Sequence, residues 1–120
     1  MREVNFYRTA DGRCPVREFL DGLPESVKGK IFWAFNLIET ADKVPEKFFK
    51  HLSGTKMYEC RIAYESIAYR FLGFFHNGNL IILTNGFVKK VWKTPRTEIK
   101  TGKQRMKDFL ENGGFYERCR

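Results

Sequence analysis

Apolar positions along the chain change their period several times, and each change marks an element. Val4 and Phe6, with Tyr7 beside them, read as a short first strand, and Asp11-Gly12 is the turn signal that closes it. The period then lengthens. Pro15 suits a helix's first position, and Val16, Phe19, Leu20 and Leu23 follow at helical spacing, which predicts a short helix ending near Gly22. Pro24 opens a longer helix: Val27, Ile31, Phe35 and Ile38 share one side, while Glu25, Lys28, Lys30, Glu39 and Asp42 take the other. Two helices with one apolar face need a sheet to cover.

Residues 43–55 read as a connector with a turn at Ser53-Gly54. Strict alternation follows: Tyr58, Cys60, Ile62 and Tyr64 point one way, and Met57, Glu59, Arg61 and Ala63 the other. The first set is the expected core face, which places Arg61 on the open face of the sheet. Ile67 to Phe75 is apolar on both sides, as a central strand would be, and Arg70 is its only charge. Asn77-Gly78 predicts a two-residue hairpin loop, because both positions tolerate positive φ. Leu80 to Leu83 form a further inner strand, and Gly86 marks a break or bulge. The three consecutive strands make an antiparallel meander, with the N-terminal strand as the fourth. Thr94-Pro95 reads as an N-cap and first-turn proline. Ile99, Met106, Phe109 and Leu110 then line one side of a last helix, which Asn112-Gly113-Gly114 ends; the tail to Arg120 reads as loose.

Composition narrows the classes. At 120 residues and 42% hydrophobic content, the chain is expected to form one domain that buries roughly two thirds of its unfolded surface. No apolar run is long enough to span a membrane, and the first residues have no signal-peptide core, so a cytoplasmic protein is expected. Cys14, Cys60 and Cys119 are too widely spaced for a zinc site and too few for a disulfide framework; Cys60 reads as a core thiol.

Charge changes the picture more. Residues 47–107 carry a net charge of +10, and the flanking segments −1 each. A field concentrated in one part of a small domain suggests a polyanionic partner. The basic region begins with Lys47, Lys50 and Lys56, runs through Arg61 and Arg70, and ends with Lys89, Lys90, Lys93 and Arg96. Lys100 and Lys103 read as a solvated helix face that adds to the field.

The candidate chemistry is cationic. His51 and His76 fall in a loop and at a turn, with no carboxylate or cysteine at ligand spacing, and no phosphate-binding or nucleophile-elbow motif is present. Acids are too few in the basic half for a catalytic magnesium ion, so neither metal nor cofactor is expected. Arginines on consecutive strands can grip a phosphate with paired hydrogen bonds. Like charges crowded together favour the neutral form of a neighbour, which lets a lysine exchange a proton near neutrality. Other readings stand beside these. Arg61 can pair with Glu59 or Glu65, and Arg70 can be a partly buried structural ion. Lys89 and Lys90 alternate, so one of them faces the site, and Lys90 is the choice here. Trp92 and Tyr64 can stack on bases, although buried anchoring is the commoner fate of such aromatics.

These residues resemble the RelE/ParE superfamily of bacterial toxins, and within it the phage-derived HigB-like branch. The likeness is carried by Phe19-Leu20-Asp21-Gly22-Leu23-Pro24, by Leu52-Ser53-Gly54 with Tyr58-Glu59-Cys60-Arg61, and by Tyr69-Arg70 with Phe74-Phe75. Gly86-Phe87-Val88-Lys89-Lys90 with Lys93-Thr94-Pro95, then Glu98-Ile99 and Arg105-Met106-Lys107-Asp108, complete it. The resemblance covers nearly the whole chain. It implies an α+β, RelE-like fold: an N-terminal helical hairpin packed on a four-stranded, mainly antiparallel sheet, plus a C-terminal helix. It further implies the toxin of a type II toxin–antitoxin pair, a metal-independent endoribonuclease that cuts messenger RNA on the ribosome and is neutralised by a helix-turn-helix, HigA-like antitoxin. Carried over by position, Arg61 and Arg70 stabilise the phosphate, Lys90 or Lys93 shuttles protons, and Lys47, Lys50, Lys56, Lys89 and Arg96 contact RNA. Phe109 stands where many relatives have tyrosine, which leaves Tyr116 or a lysine to take its part. The superfamily also contains ParE-type gyrase inhibitors, and a basic nucleic-acid-binding module without catalysis is the third alternative.

Overall fold

A strand apolar on both sides, Ile67 to Phe75, demands a sheet with two covered faces, and the helices divide between them. A computed structural model describes all 120 residues. In chain order the elements are β1 (Glu3–Tyr7), α1 (Pro15–Asp21), α2 (Glu25–Thr40), β2 (Phe49–His51), β3 (Tyr58–Tyr64), β4 (Ile67–His76), β5 (Leu80–Lys89), α3 (Arg96–Glu111) and β6 (Tyr116–Arg118). They form an α+β protein whose single mixed sheet has the strand order β2-β3-β4-β5-β1-β6. No helix is long and apolar enough to cross a membrane.

The meander β3-β4-β5 is antiparallel as expected, but the sheet has six strands rather than four. β1 lies parallel to β5, with Val4 opposite Ile81 and Phe6 opposite Leu83. Part of the connector becomes β2, which pairs Phe49 with Cys60 and Lys50 with Glu59. The tail becomes β6, antiparallel to β1, and is not loose. Its charges find partners far away in sequence. Arg17 Nη2 donates to Glu117 Oε2 at 2.9 Å, and Arg120 Nη2 to Glu39 Oε1 at 2.9 Å. Glu39, assigned by its spacing to the polar side of α2, is buried and also accepts the Val4 N–H at 2.8 Å. Buried carboxylates persist only when satisfied in this way.

α1 and α2 cover one face through Val16, Leu20, Ile31, Phe35 and Ile38, which meet Phe6, Ile62, Phe71 and Leu83. α3 covers much of the other, burying Phe109 with Tyr7, Met57, Leu72, Phe74, Ile82 and Phe87. That face is therefore not open along its whole length: Met57 and Glu59 are fully buried, and exposure begins at Arg61 and Ala63. Tyr7 pins β1 to α3, its hydroxyl donating to Asp108 Oδ2 at 2.6 Å. Burial, and then this bond, raises the Tyr7 hydroxyl from 10.0 to about 12. A raised pKa contributes stability that is complete below the unfolded value and lost as pH rises through the folded one. Tyr7→Phe should therefore cost about 1 kcal/mol at neutral pH. In urea melts, the gap from wild type should close as pH rises from about 10 toward 12; a gap undiminished at pH 12 would refute this.

Two turn expectations are corrected. His76 pairs with Leu80, so the hairpin loop holds three residues, with Asn77 at φ 52° and Gly78 at φ 84°. The bulge falls not at Gly86 but at Thr84, the extra residue between pairs Leu72–Asn85 and Gly73–Leu83. Gly86 serves packing instead, since a Cβ there would lie 2.7 Å from the Phe19 and Phe71 rings.

Candidate nucleic-acid interface

Strand register lays the charged residues out in rows across the face that α3 half covers. Arg61 stands directly opposite Arg70, which stands opposite Phe87. One row along, Glu59, Leu72 and Asn85 align; one row the other way lie Ala63, Ala68 and Lys89. Cross-strand partners share a face, so the two guanidinium groups are neighbours. Like charges placed opposite one another need a counter-ion, and the buried Glu59 carboxylate provides it. Arg61 Nε donates to Glu59 Oε1 at 2.9 Å, and Arg70 Nε lies 3.6 Å from the same oxygen. The other oxygen, Oε2, accepts the Thr94 hydroxyl. Thr94 thus does not cap α3, which starts at Arg96 with Pro95 at the N-cap position and no side-chain cap.

The arginines differ in exposure. The Arg61 side chain is 28% exposed and the Arg70 side chain 14%. Burial lowers the Arg70 pKa, Glu59 opposes that shift, and Arg61 adds to it. Arg70 nevertheless remains a guanidinium cation at any ordinary pH. Its Nη1 donates to Tyr69 O at 3.2 Å, while its buried Nε makes no hydrogen bond. This donor has charge but no acceptor at bonding distance.

β2 leaves the sheet just here. The Arg61 N–H is the last to reach across, donating to Phe48 O at 2.7 Å, and beyond it the β3 edge borders a cleft of about 380 Å³. Arg61, Ile62, Ala63, Arg70, Lys47, Phe48 and Lys30 line it. Lys47 Nζ lies 5.1 Å from the Phe48 ring, Lys30 Nζ lies 4.2 Å from the Trp33 ring, and Phe48 and Trp33 meet edge to face. Four cations and one fully engaged carboxylate leave the cleft strongly positive, at a partly desolvated place where charge–charge energies exceed those in water.

The structure thus brings Arg61, Arg70 and Lys47 together. Lys89 lies on the same face one row away, so register favours Lys89 over Lys90, which falls just past the strand in an exposed segment with Lys93. Lys50 lies opposite Glu59 in the β2–β3 register and is exposed, and Lys56 is exposed in the turn before β3. Arg96 belongs elsewhere: with Ile99, Lys100, Lys103, Gln104 and Lys107 it lines a groove of about 460 Å³ along α3. Trp92 is exposed and not a buried anchor. Phe109 is buried against Phe74 and His76, and Tyr116, on β6, places its ring 6.0 Å from the Phe109 ring. No three His, Cys, Asp or Glu side chains gather as a metal site.

Sequence reading assigned no role to Lys30 or to the Glu59–Thr94 bond. Lys30 carried no signal, being one of several charges on α2. Glu59 carried one: it is a lone acid among cations, two residues before Arg61 on the same side of the strand.

This is an α+β domain with a cleft lined by four basic side chains. The chain belongs to the phage-derived Gp49-like proteins (Phage derived protein Gp49-like, DUF891), whose family model matches residues 18–107. That segment runs from α1 into α3 and contains the whole cleft, leaving out β1 and β6. A comparison with curated proteins gave no match.

Proposed function

We propose that this chain is the toxin of a type II toxin–antitoxin pair, a HigB-like member of the RelE/ParE superfamily that cuts messenger RNA on the ribosome without a metal. Membership of the Gp49-like family is compatible with a toxin. The observation that carries the reading is the opposed Arg61–Arg70 pair, held by one carboxylate at the mouth of a cationic cleft.

In this mechanism the ribose 2′-oxygen attacks the adjacent phosphorus and the bond to the 5′-oxygen breaks, giving a 2′,3′-cyclic phosphate and a free 5′-hydroxyl. Arg61 and Arg70 neutralise the non-bridging oxygens as charge builds on them, a kind of stabilisation whose single donors are worth about 10²–10³ in rate. The 2′-hydroxyl proton must leave and a proton must reach the 5′-oxygen. Glu59 is fully engaged, which leaves these transfers to Lys93, Lys90 or, by register, Lys89. Lys47, Lys50 and Lys56 hold flanking phosphates, and Arg96 extends the field along α3. The setting is the cytoplasm, and a helix-turn-helix, HigA-like antitoxin is the neutralising partner.

Arg61→Ala is the test, because Arg61 is the more exposed arginine and its loss leaves Arg70 to balance Glu59. Wild type induced in a bacterial host should arrest growth and create new messenger 5′ ends inside translated regions. The variant, shown folded by circular dichroism, should lose both, with cleavage down at least about 10²-fold. Arrest with intact messages and a DNA-damage response would replace this reading with ParE-type gyrase inhibition. No arrest by wild type would leave a non-catalytic nucleic-acid-binding module.

A further inference from the structure

The segment between β5 and α3 is fastened on both sides of the arginine row. At one end Lys89 is still paired with Ala68; at the other the Thr94 hydroxyl is bound to Glu59. The Arg61–Arg70–Phe87 row lies between these two anchor rows, so residues 90–93 form a strap across it. Trp92 sits on this strap and is 92% exposed. The contrast with the other tryptophan is instructive: Trp33 is 50% exposed, packed on Phe48 and under Lys30. An indole is among the largest apolar groups a chain can bury, and leaving one in water forgoes that gain. The near neighbours of Trp92 along the chain are Lys89, Lys90, Lys93 and Arg96, and no acid occurs between Glu65 and Glu98.

We propose that Trp92 is a stacking platform for a nucleobase of single-stranded RNA whose phosphate lies at Arg61 and Arg70. This rests on the ribonuclease reading of the cleft and adds to it a binding site for the base. The chemistry selects the ligand. A flat, exposed π-face among cations suits a polyanion that carries planar apolar groups, and single-stranded nucleic acid is that polymer. A phosphate alone has no use for the indole, and a duplex keeps its base faces stacked inside. The two anchors hold the segment that carries the indole beside the arginine row, so that one strand of RNA can engage both.

The test uses the full-length protein carrying Trp33→Phe, which leaves Trp92 as the sole tryptophan reporter. It is titrated with a 2′-O-methylated RNA hexamer, which the proposed reaction cannot cleave, and with an abasic hexamer of the same charge. The base-containing hexamer should quench the indole emission and the abasic one should not. With affinities read from the anisotropy of end-labelled hexamers, Trp92→Ala should weaken the first by about 5- to 100-fold while leaving the second unchanged. Its melting temperature should also stay unchanged, since the side chain packs on nothing. Equal affinity for the two hexamers, or full hexamer affinity in Trp92→Ala, overturns the proposal and leaves the indole to a protein partner. If Arg61→Ala still weakens both hexamers in that case, the phosphate site stands and only the stacking fails. Failure of both hexamers to bind wild type overturns the two readings together.

Discussion

Glu59→Ala should lower the free energy of unfolding by about 3–5 kcal/mol, the range for removing one partner from a buried ion pair. For a chain of this length that is a fall in melting temperature of about 12–20 °C. Glu59 is fully buried on β3, and its two oxygens hold Arg61, Arg70 and Thr94. Without it, two cations face one another across neighbouring strands with no counter-ion, and the strap loses its second anchor. On the proposed toxin function, growth arrest should disappear with it, because neither guanidinium would keep its orientation. Glu59→Gln separates the two effects: an amide of the same shape still accepts from Thr94 but cannot balance the charge, so it should fall between wild type and alanine. Combining Glu59→Ala with Arg70→Ala should cost less than the sum of the two changes, as expected for groups in direct contact. Calorimetry of wild type and the four variants decides the matter; a Glu59→Ala loss below about 1 kcal/mol, the scale of an ordinary exposed pair, would remove Glu59 from the centre of the site.

Gly73→Ala should be nearly as damaging, at about 2–3 kcal/mol, through steric overlap alone. A Cβ on Gly73 would lie 2.6 Å from Ile82 O and 2.8 Å from Leu83 Cδ2. The first is backbone in the adjacent strand and cannot swing aside. Gly73 also flanks the Thr84 bulge, where Thr84 Oγ1 lies 3.2 Å from Leu72 O and 2.6 Å from Asn85 Oδ1. Asn85 Nδ2 in turn donates to Glu98 Oε1 at 2.9 Å, which joins the bulge to the first turn of α3. Strain at Gly73 therefore reaches the helix that closes the site. The same substitution at Gly29 is the control: this exposed position in α2 has nothing within 4 Å of an added Cβ. There the change should stabilise by about 0.5–1 kcal/mol, since glycine is costly inside a helix. Urea melts that gave the two alanines the same sign would contradict the packing described for β4 and β5.

Much of the layout was legible because it rests on local rules. The apolar stripe Val27–Ile31–Phe35–Ile38 does bury against the sheet, and Ile67–Phe75 is an inner strand because both of its sides are apolar. Cys60 is a buried thiol whose pKa burial raises. Arg61 and Arg70 could be placed near one another from alternation and strand order. Other features were hidden for identifiable reasons. Tyr116–Arg118 has no strand pattern of its own, and it pairs with β1 because that edge offers unsatisfied N–H and C=O groups and Arg17 and Glu39 receive its charges. The exposure of Trp92 also escaped, since an aromatic near apolar strands gives no local sign that its connector will arch away from the core.

By itself the sequence determined the three helices and the strands β1, β3, β4 and β5, though not β2 or β6, because periodicity and turn chemistry act within a few residues. It also determined that the positive charge belongs to the middle of the chain, since net charge is a sum over residues. Tertiary structure decided the rest. Register, fixed by the Thr84 bulge and by pairing along β3 to β5, set Arg61 against Arg70 and put Lys89 rather than Lys90 on their face. Closure of the site buried Glu59 with Arg61, Arg70 and Thr94, and so turned a nearby acid into the shared counter-ion of both arginines. Such relations join residues distant in the chain, and they exist only once the sheet has closed and α3 has excluded water from one half of its face.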